Sequence, residues 1–395
     1  MNPGINALYQ IANKPKRMIL GLMSGTSLDG LDIALCEFAG SGLRTKFQLK
    51  HFVSLPYSTA FKESIQAIFA KENIHFPSLS TLNAEIGIKH AELILSALQS
   101  WGIKPEEIDL IASHGQTVMH RPMRKGSQPS STLQIGDGDH IALKTGIITI
   151  SDFRQKHVAA GGEGAPLAMY GDYFLFSKEG ENRTLLNIGG IGNFTFLPAN
   201  QDPNLIRVTD TGPGNTLIDA SVRKYFPGFF YDKDARLGRQ GLLHAGLLSE
   251  LLRLDFFLEP FPKSTGPEYF HLEKVEALIQ SNQWTLTPTD LIRTLTEFTA
   301  QSIVLAIKKY VPETIESLYV SGGGSKNPLL MERISALLPN ITLGNSSEIG
   351  IPAESKEAVL FGLLANETLM DAGANQVRRL GDSPWVTMGK ISFPY

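Results

Sequence analysis

One pattern occurs twice in this chain: an apolar run, a loop dense in glycine, and a second apolar run. In the first half residues 18–23 and 31–36 flank S-G-T-S-L-D-G, and in the second residues 185–188 and 194–197 flank G-G-I-G-N. Short apolar runs bounded by turn residues read as strands, and a pair around an open loop reads as a hairpin. Each hairpin is followed by helical patterning. Ala84, Ile88, Ala91, Leu95 and Leu98 step by four and three along one predicted helix face. In the second half Thr287 and Pro288 form a cap and first-turn start, and Leu291, Leu295 and Phe298 begin a buried face. Each half also carries a later strand ending in a small-residue turn, residues 110–112 before S-H-G-Q-T and 318–320 before S-G-G-G-S.

Strands alternating with helices imply mixed or parallel sheets covered by helices, the α/β class, and in such sheets ligands gather where strands end. The repeated order predicts two similar lobes facing a cleft, which suits a chain of 395 residues. The expected boundaries are an N-terminal extension at 1–17, a first lobe at 18–176 completed by 369–395, and a second lobe at 177–368. Crossovers are expected near 165–176 and 353–370, the second lobe ending in a crossover helix at 353–368.

With 36 Lys and Arg against 39 Asp and Glu, the net charge of −3 draws the chain neither to nucleic acid nor to an anionic membrane. No apolar run approaches the ~20 residues that span a bilayer, and the first residues lack the pattern of a signal peptide. A single cysteine, Cys36, allows no internal disulfide and no Cys-rich zinc site. A cytoplasmic protein with a small-molecule partner is the expectation, and the oligomeric state stays open, a homodimer included.

Glycine lets backbone N–H groups approach a phosphate without a Cβ in the way, and Ser or Thr hydroxyls add donors. Gly25, Thr26, Ser27, Leu28, Asp29 and Gly30 form one such loop, Gly189, Gly190 and Gly192 lie in a second, and Gly322, Gly323 and Gly324 form a third. One loop alone reads equally well as a hairpin turn; three together predict nucleotide binding. Neither G-x-G-x-x-G after a first strand nor a G-x-x-x-x-G-K-[ST] loop is present in the right context, which disfavours a dinucleotide fold or a P-loop.

Phosphoryl transfer depends on positioning, Mg²⁺ and a carboxylate near the nucleophile. Asp210 follows an apolar run and precedes the sharp turn T-G-P-G-N, so it is expected at a strand end beside a helix N-terminus, although an isolated Asp there is commonly a turn residue. Asp29 and Asp32 flank the first loop and could reach Mg²⁺ through water. His114 in S-H-G-Q-T reads as a substrate-lining donor at most, a lone histidine at a strand end being more often structural. Neither a G-x-S-x-G elbow nor H-E-x-x-H is present.

These blocks, taken in order, resemble the anhydro-N-acetylmuramic acid kinase family. The resemblance is carried by G-L-M-S-G-T-S-L-D-G-L-D from Gly21, S-H-G-Q-T from Ser113, L-Q-I-G from Leu133, D-F-R from Asp152 and A-A-G-G-E-G-A-P from Ala159. It continues through L-N-I-G-G from Leu186, D-T-G-P-G-N from Asp210, K-S-T-G from Lys263, V-S-G-G-G from Val320, and Gly350-Ile351-Pro352 with Glu357. The resemblance implies an actin/hexokinase-like ATPase of two ribonuclease H-like lobes. It implies ATP and Mg²⁺ as cofactors and an anhydro amino sugar as substrate, the 1,6 bridge being hydrolysed while O6 is phosphorylated.

By positional match it implies Asp210 as the base for the attacking water, with ATP contacts from Gly25 through Leu31 and Asp32, from Gly189 and Gly190, and from Gly322, Gly323, Gly324 and Asn327. Thr117, Arg154, Glu357 and His114 would line the sugar, Arg154 taking the lactyl carboxylate. The first loop has Met23-Ser24 where the wider superfamily has an Asp, which leaves the Mg²⁺-orienting carboxylate open between Asp29 and Asp32. Other readings are an ordinary hydroxyl kinase of an amino sugar or short acid, and an actin-like nucleotide-gated binding or filament protein.

Overall fold

The computed structural model describes residues 1–121, 130–266, 268–350, 352–370 and 379–395. Two compact units divide the chain, one made of residues 1–175 with 354–395 and one of residues 176–353.

The first unit begins with an antiparallel meander of β1 (Arg17–Ser24), β2 (Gly30–Ala39) and β3 (Lys46–Pro56). β4 (Leu110–Arg121) pairs parallel to β1, and β5 (Ser131–Ile135) folds back on the far half of β4. β6 (Thr149–Ser151) pairs parallel to β4, and the C-terminal strand Lys390–Ser392 closes that edge antiparallel to β6. The second unit repeats the plan. β7 (Arg183–Ile188), β8 (Ile191–Leu197) and β9 (Arg207–Pro213) form a meander, β10 (Ser317–Ser321) is parallel to β7, and β11 (Thr342–Asn345) is parallel to β10. The strand orders β3-β2-β1-β4-β6 and β9-β8-β7-β10-β11 are the same path walked twice. The chain is thus an α/β protein of two units whose mixed sheets share one strand order.

Burial explains the composition of the strands. β1 is buried almost end to end, as a central strand covered on both faces must be, whereas β3 at the sheet edge keeps every part of its length half-buried or exposed. One cover is the helix Phe76–Trp101, which ends at Gly102 in the left-handed region (φ 69°). The predicted face of that helix is displaced from the observed one. Leu82, Ile86, His90, Ala91, Ile94, Ala97 and Leu98 are buried, while Ala84, Ile88 and Leu95 are only half-buried. The reading by apolar spacing passed over His90, a polar residue at the centre of the buried stripe.

The helix Lys356–Met370 lies on β1, β2 and β4. It therefore belongs to the first unit, and the expectation that it ends the second lobe is corrected. Close backbone approach is the reason: a Cβ on Gly21 of β1 would stand 1.8 Å from the Ala358 carbonyl oxygen, so only glycine lets helix and strand meet there. The first residues differ as well. Pro3–Ala12 is a helix capped by the Asn2 side chain, with Ile11 buried and Gly4 beneath the Phe393 ring, because the C-terminal segment returns to cover it. In the second unit the helix Pro288–Tyr310 starts at Thr287 as expected, with a reciprocal Thr287–Asp290 capping box, and Leu291, Leu295 and Phe298 are buried.

Candidate active site

The loop between β1 and β2 holds Gly25, Thr26, Ser27, Leu28 and Asp29. Thr26 and Ser27 are exposed, and the Leu28 N–H closes the turn on the Gly25 carbonyl at 3.2 Å. Leu28 adopts φ 59°, a strained conformation for a branched side chain, and is held there by burial of that side chain. The side chains of Leu28 and Leu31 belong to the core, so both can offer a ligand only backbone groups. A Cβ on Gly30 would meet the Leu55 carbonyl oxygen at 2.2 Å. Asp29 is 83% exposed, with Lys62 Nζ at 3.9 Å. Asp32 is half-buried, and desolvation raises its carboxyl, with Asp29 adding to the rise and a hydrogen bond from Ser54 opposing it.

A second cluster in the same unit is built on Arg154. Its Nε donates to His114 Nε2 at 2.9 Å and its Nη1 to the Gly164 carbonyl at 2.6 Å. That leaves Nη2 and the second hydrogen of Nη1 to act on another group. Burial and the opposing charge of Glu357 mark its surroundings: desolvation lowers Arg154, and Glu357 restores part of it. The Glu357 carboxyl is raised by desolvation first and by Asp32, against the pull of Arg154, so Asp32, Arg154 and Glu357 share one electrostatic neighbourhood. Thr117 lies on β4 with its Oγ1 accepting from Gln134 Nε2 at 3.1 Å.

His114 is corrected. It is 2% exposed, its Nε2 accepts from Arg154, its Nδ1 donates to the Gly115 carbonyl at 3.0 Å, and its ring packs on Phe361. Burial and the Arg154 charge push its pKa down to about 3, so it is a neutral orienting group for Arg154 and neither lines a sugar nor supplies a proton.

In the second unit Asp210 sits within β9, opposite Asn193 of β8 at a register shift, rather than at the strand end. The strand runs on through Pro213, because Gly192 and Gly212 continue the pairing. The Asp210 N–H donates to the Lys263 carbonyl at 3.0 Å. Its Oδ2 accepts from Thr265 N at 2.8 Å and Ser264 Oγ at 3.1 Å, and its Oδ1 takes no hydrogen bond among the described residues. Desolvation raises the carboxyl and those two bonds hold the rise in check. Lys263 is itself buried, donating to the Phe256 carbonyl at 2.7 Å with its Nζ over the rings of Phe256, Phe257 and Phe261. The K-S-T-G block thus serves as the brace of Asp210, a role that its sequence did not disclose.

The second glycine loop is knitted to the turn that follows this strand. Gly214 N and Thr216 Oγ1 donate to the Gly190 carbonyl at 2.8 and 2.7 Å, and Asn215 N donates to the Gly189 carbonyl at 2.8 Å. A Cβ on Gly214 would stand 2.3 Å from the Gly189 oxygen, and one on Gly322 (φ 82°), at the third glycine loop, 2.6 Å from the Ile188 oxygen. Asn327, expected to bind nucleotide, spends its Oδ1 capping the helix Pro328–Leu337, accepting from Leu330 N at 3.1 Å. Its place is nonetheless on the wall of a cavity of about 560 Å³ that Gly323, Ile218, Asp219, Phe230 and Tyr231 also line. That volume is typical of small-molecule sites. Phe230 and Tyr231 are large aromatic residues that stand 74% and 56% exposed. Burial raises Asp219 in the same cavity to about 6, with Arg223 opposing the rise and Asp232 adding to it. The run F-F-Y after Pro227-Gly228 was the signal available for this wall.

The Gly350-Ile351-Pro352 motif reaches outside the described residues at Ile351. No group of three or more His, Cys, Asp or Glu side chains converges as a metal site among the described residues. No helix among them is long and apolar enough to cross a membrane.

The family model for anhydro-N-acetylmuramic acid kinase matches residues 17–394. The chain belongs to the anhydro-N-acetylmuramic acid kinase family. It is 48% identical to an anhydro-N-acetylmuramic acid kinase of Pseudoalteromonas atlantica over 100% of both chains. Against the kinase of that name from Caldanaerobacter subterraneus subsp. tengcongensis it is 38% identical over 98% of this chain and 100% of the relative. Among solved structures, the activator of 2-hydroxyisocaproyl-CoA dehydratase from Clostridium difficile with bound ADPNP matches 92% of this chain and 99% of its own at 12% identity and a TM-score of 0.41. A ROK family glucokinase from Streptomyces griseus in complex with glucose and AMPPNP matches 88% and 97% at 12% identity and a TM-score of 0.33. The protein is therefore a kinase, a phosphotransferase of the anhydro-N-acetylmuramic acid kinase family.

Proposed function

We propose that this kinase uses ATP and water to convert 1,6-anhydro-N-acetylmuramic acid to N-acetylmuramic acid 6-phosphate, a step in the recycling of cell-wall sugar. The observation that carries this reading is the Asp210 carboxylate, with Oδ2 fixed by Ser264 and Thr265 and Oδ1 without a hydrogen-bond partner among the described residues. O6 of the bridged sugar has no hydrogen to lose, so the proton must come from elsewhere. Oδ1 takes it from a water whose oxygen bonds to C1. The C1–O6 bond breaks, O6 bonds to the γ-phosphorus, and ADP leaves with the electron pair of the broken P–O bond. A carboxyl raised by desolvation is a stronger base than an ordinary Asp, and a positioned base contributes on the order of 10²–10⁴-fold.

The other roles follow from the groups left open. Thr26, Ser27 and the loop amides suit phosphates, Phe230 and Tyr231 offer faces on which an adenine can stack, and the unspent hydrogens of Arg154 suit the lactyl carboxylate. Glu357 and Thr117 suit sugar hydroxyls. For Mg²⁺, Asp32 fits better than Asp29, since a desolvated carboxylate gains more from a cation than an exposed one beside a lysine. Held there through water, the metal would neutralise phosphate charge. Cys36, free and buried, accords with a cytoplasmic setting.

Replacing Asp210 by Asn keeps the shape and removes the base. Turnover of the anhydro sugar should fall at least ~100-fold with ATP affinity unchanged. Near-normal turnover in Asp210→Asn would remove the proposed base, and phosphorylation of N-acetylmuramic acid in preference to its anhydro form would point to an ordinary hydroxyl kinase.

A further inference from the structure

His90 lies at the centre of the buried face of the helix Phe76–Trp101, 0% exposed among aliphatic neighbours. Its Nε2 is 2.9 Å from the Tyr57 hydroxyl, and the two rings are within 6° of parallel. From Tyr57 the bonds continue to Ser24 Oγ at 2.8 Å and from there to Gln116 Oε1 at 2.6 Å.

The direction of each proton follows from the far end. Gln116 Nε2 faces the carbonyls of Thr117 at 3.1 Å and Gly25 at 3.4 Å, which only accept, so the amide oxygen must face Ser24. Ser24 then donates to Gln116 and accepts from Tyr57. The one hydroxyl proton of Tyr57 is committed to Ser24, so its oxygen accepts from His90, and the histidine hydrogen sits on Nε2. The remaining Nδ1 is buried without a partner among the described residues, and burial holds the ring neutral, with its pKa near 4.

The hydrogen-bond chain ends at the root of the loop between β1 and β2, whose middle is anchored separately by the buried Leu28 side chain and by the Leu28 N–H donating to the Gly25 carbonyl at 3.2 Å. Thr26, Ser27 and Asp29 are exposed, and a Cβ on Gly25 would find only Ser27 Oγ at 3.7 Å. Tyr57 holds both ends of the loop, its hydroxyl on Ser24 and its backbone N–H on the Asp29 carbonyl at 3.2 Å.

We infer that Tyr57 and His90 are positioning residues for the phosphate-holding loop, acting through Ser24 and Gln116 along a hydrogen-bond chain that can run in only one direction. The inference rests on the reading of residues 25–32 as the nucleotide loop.

The test is calorimetric ATP affinity, sugar KM and thermal stability for the full-length parent, Tyr57→Phe, His90→Met and His90→Gln. Phe removes only the hydroxyl, Met removes the histidine donor at similar volume, and Gln returns an N–H near the place of Nε2. Tyr57→Phe and His90→Met should each weaken ATP binding roughly threefold or more, because Ser24 at the root of the loop loses the hydrogen-bond chain that orients it. The sugar KM should stay within about twofold, and His90→Gln should recover ATP affinity even where its melting temperature is lowered. ATP affinity unchanged in Tyr57→Phe overturns the inference, as does a loss that tracks melting temperature across all three variants. A parent that binds ATP but does not turn over the anhydro sugar sinks the proposed reaction and leaves this inference standing; a parent that does not bind ATP sinks both.

Discussion

Asp210 is a residue whose surroundings favour function over stability. Its folded-state pKa lies above that of the unfolded chain. Between the two values the folded form binds more protons, so its contribution to stability falls as pH rises through that window, and above it the ionised carboxylate is a standing cost. Asp210→Asn removes that cost and keeps an acceptor for Ser264 and Thr265. The variant should therefore melt no lower than the parent at pH 7, with its advantage shrinking as pH falls through the window; a markedly lower melting temperature at neutral pH would contradict this. The candidacy of Asp210 was legible in T-G-P-G-N, but its brace was not, because Ser264 and Thr265 stand 54 and 55 residues further along and meet it only through the fold. His114 misled for a related reason: its residue type suggests chemistry, and only its two committed ring nitrogens show that it orients Arg154.

At the scale of elements, hairpins and helices were legible where spacing alone sets them. The two glycine hairpins and the capped helix Pro288–Tyr310 stand where the pattern put them. What the pattern could not supply was partnership between elements distant in sequence. Nothing in the apolar run of Lys356–Met370 says which sheet it covers; that is decided by Gly21, 337 positions before Ala358, whose missing side chain admits the helix backbone. Gly21→Ala should therefore be costly out of proportion to its size. The added methyl meets a backbone oxygen that cannot rotate away, and a loss of about 3 kcal/mol or more is expected by denaturant unfolding. A loss under ~0.5 kcal/mol would mean that helix and strand do not approach as described.

For the whole molecule, the repeated strand order is the feature that the sequence announced most clearly, since hairpin, helix and later strand recur in the same succession in each half. The first unit is discontinuous, and it takes from the far end the helix Lys356–Met370 that the sequence pattern assigns to the second lobe. A chain ending at residue 353 would lose the helix over β1, β2 and β4 and leave that apolar face open. It should be recovered aggregated, whereas residues 176–353, a continuous segment with its own buried clusters, should yield a cooperatively melting protein. The reverse outcome would contradict the division.

The most direct measurement on the reaction itself is mass analysis of the product formed from ATP and the anhydro sugar in heavy-oxygen water, sampled during the first turnovers. The account predicts a ring-opened sugar 6-phosphate with one solvent oxygen on the sugar carbons and none in its phosphoryl group. A product that retains the anhydro bridge, or a phosphoryl group that carries solvent oxygen, would contradict it.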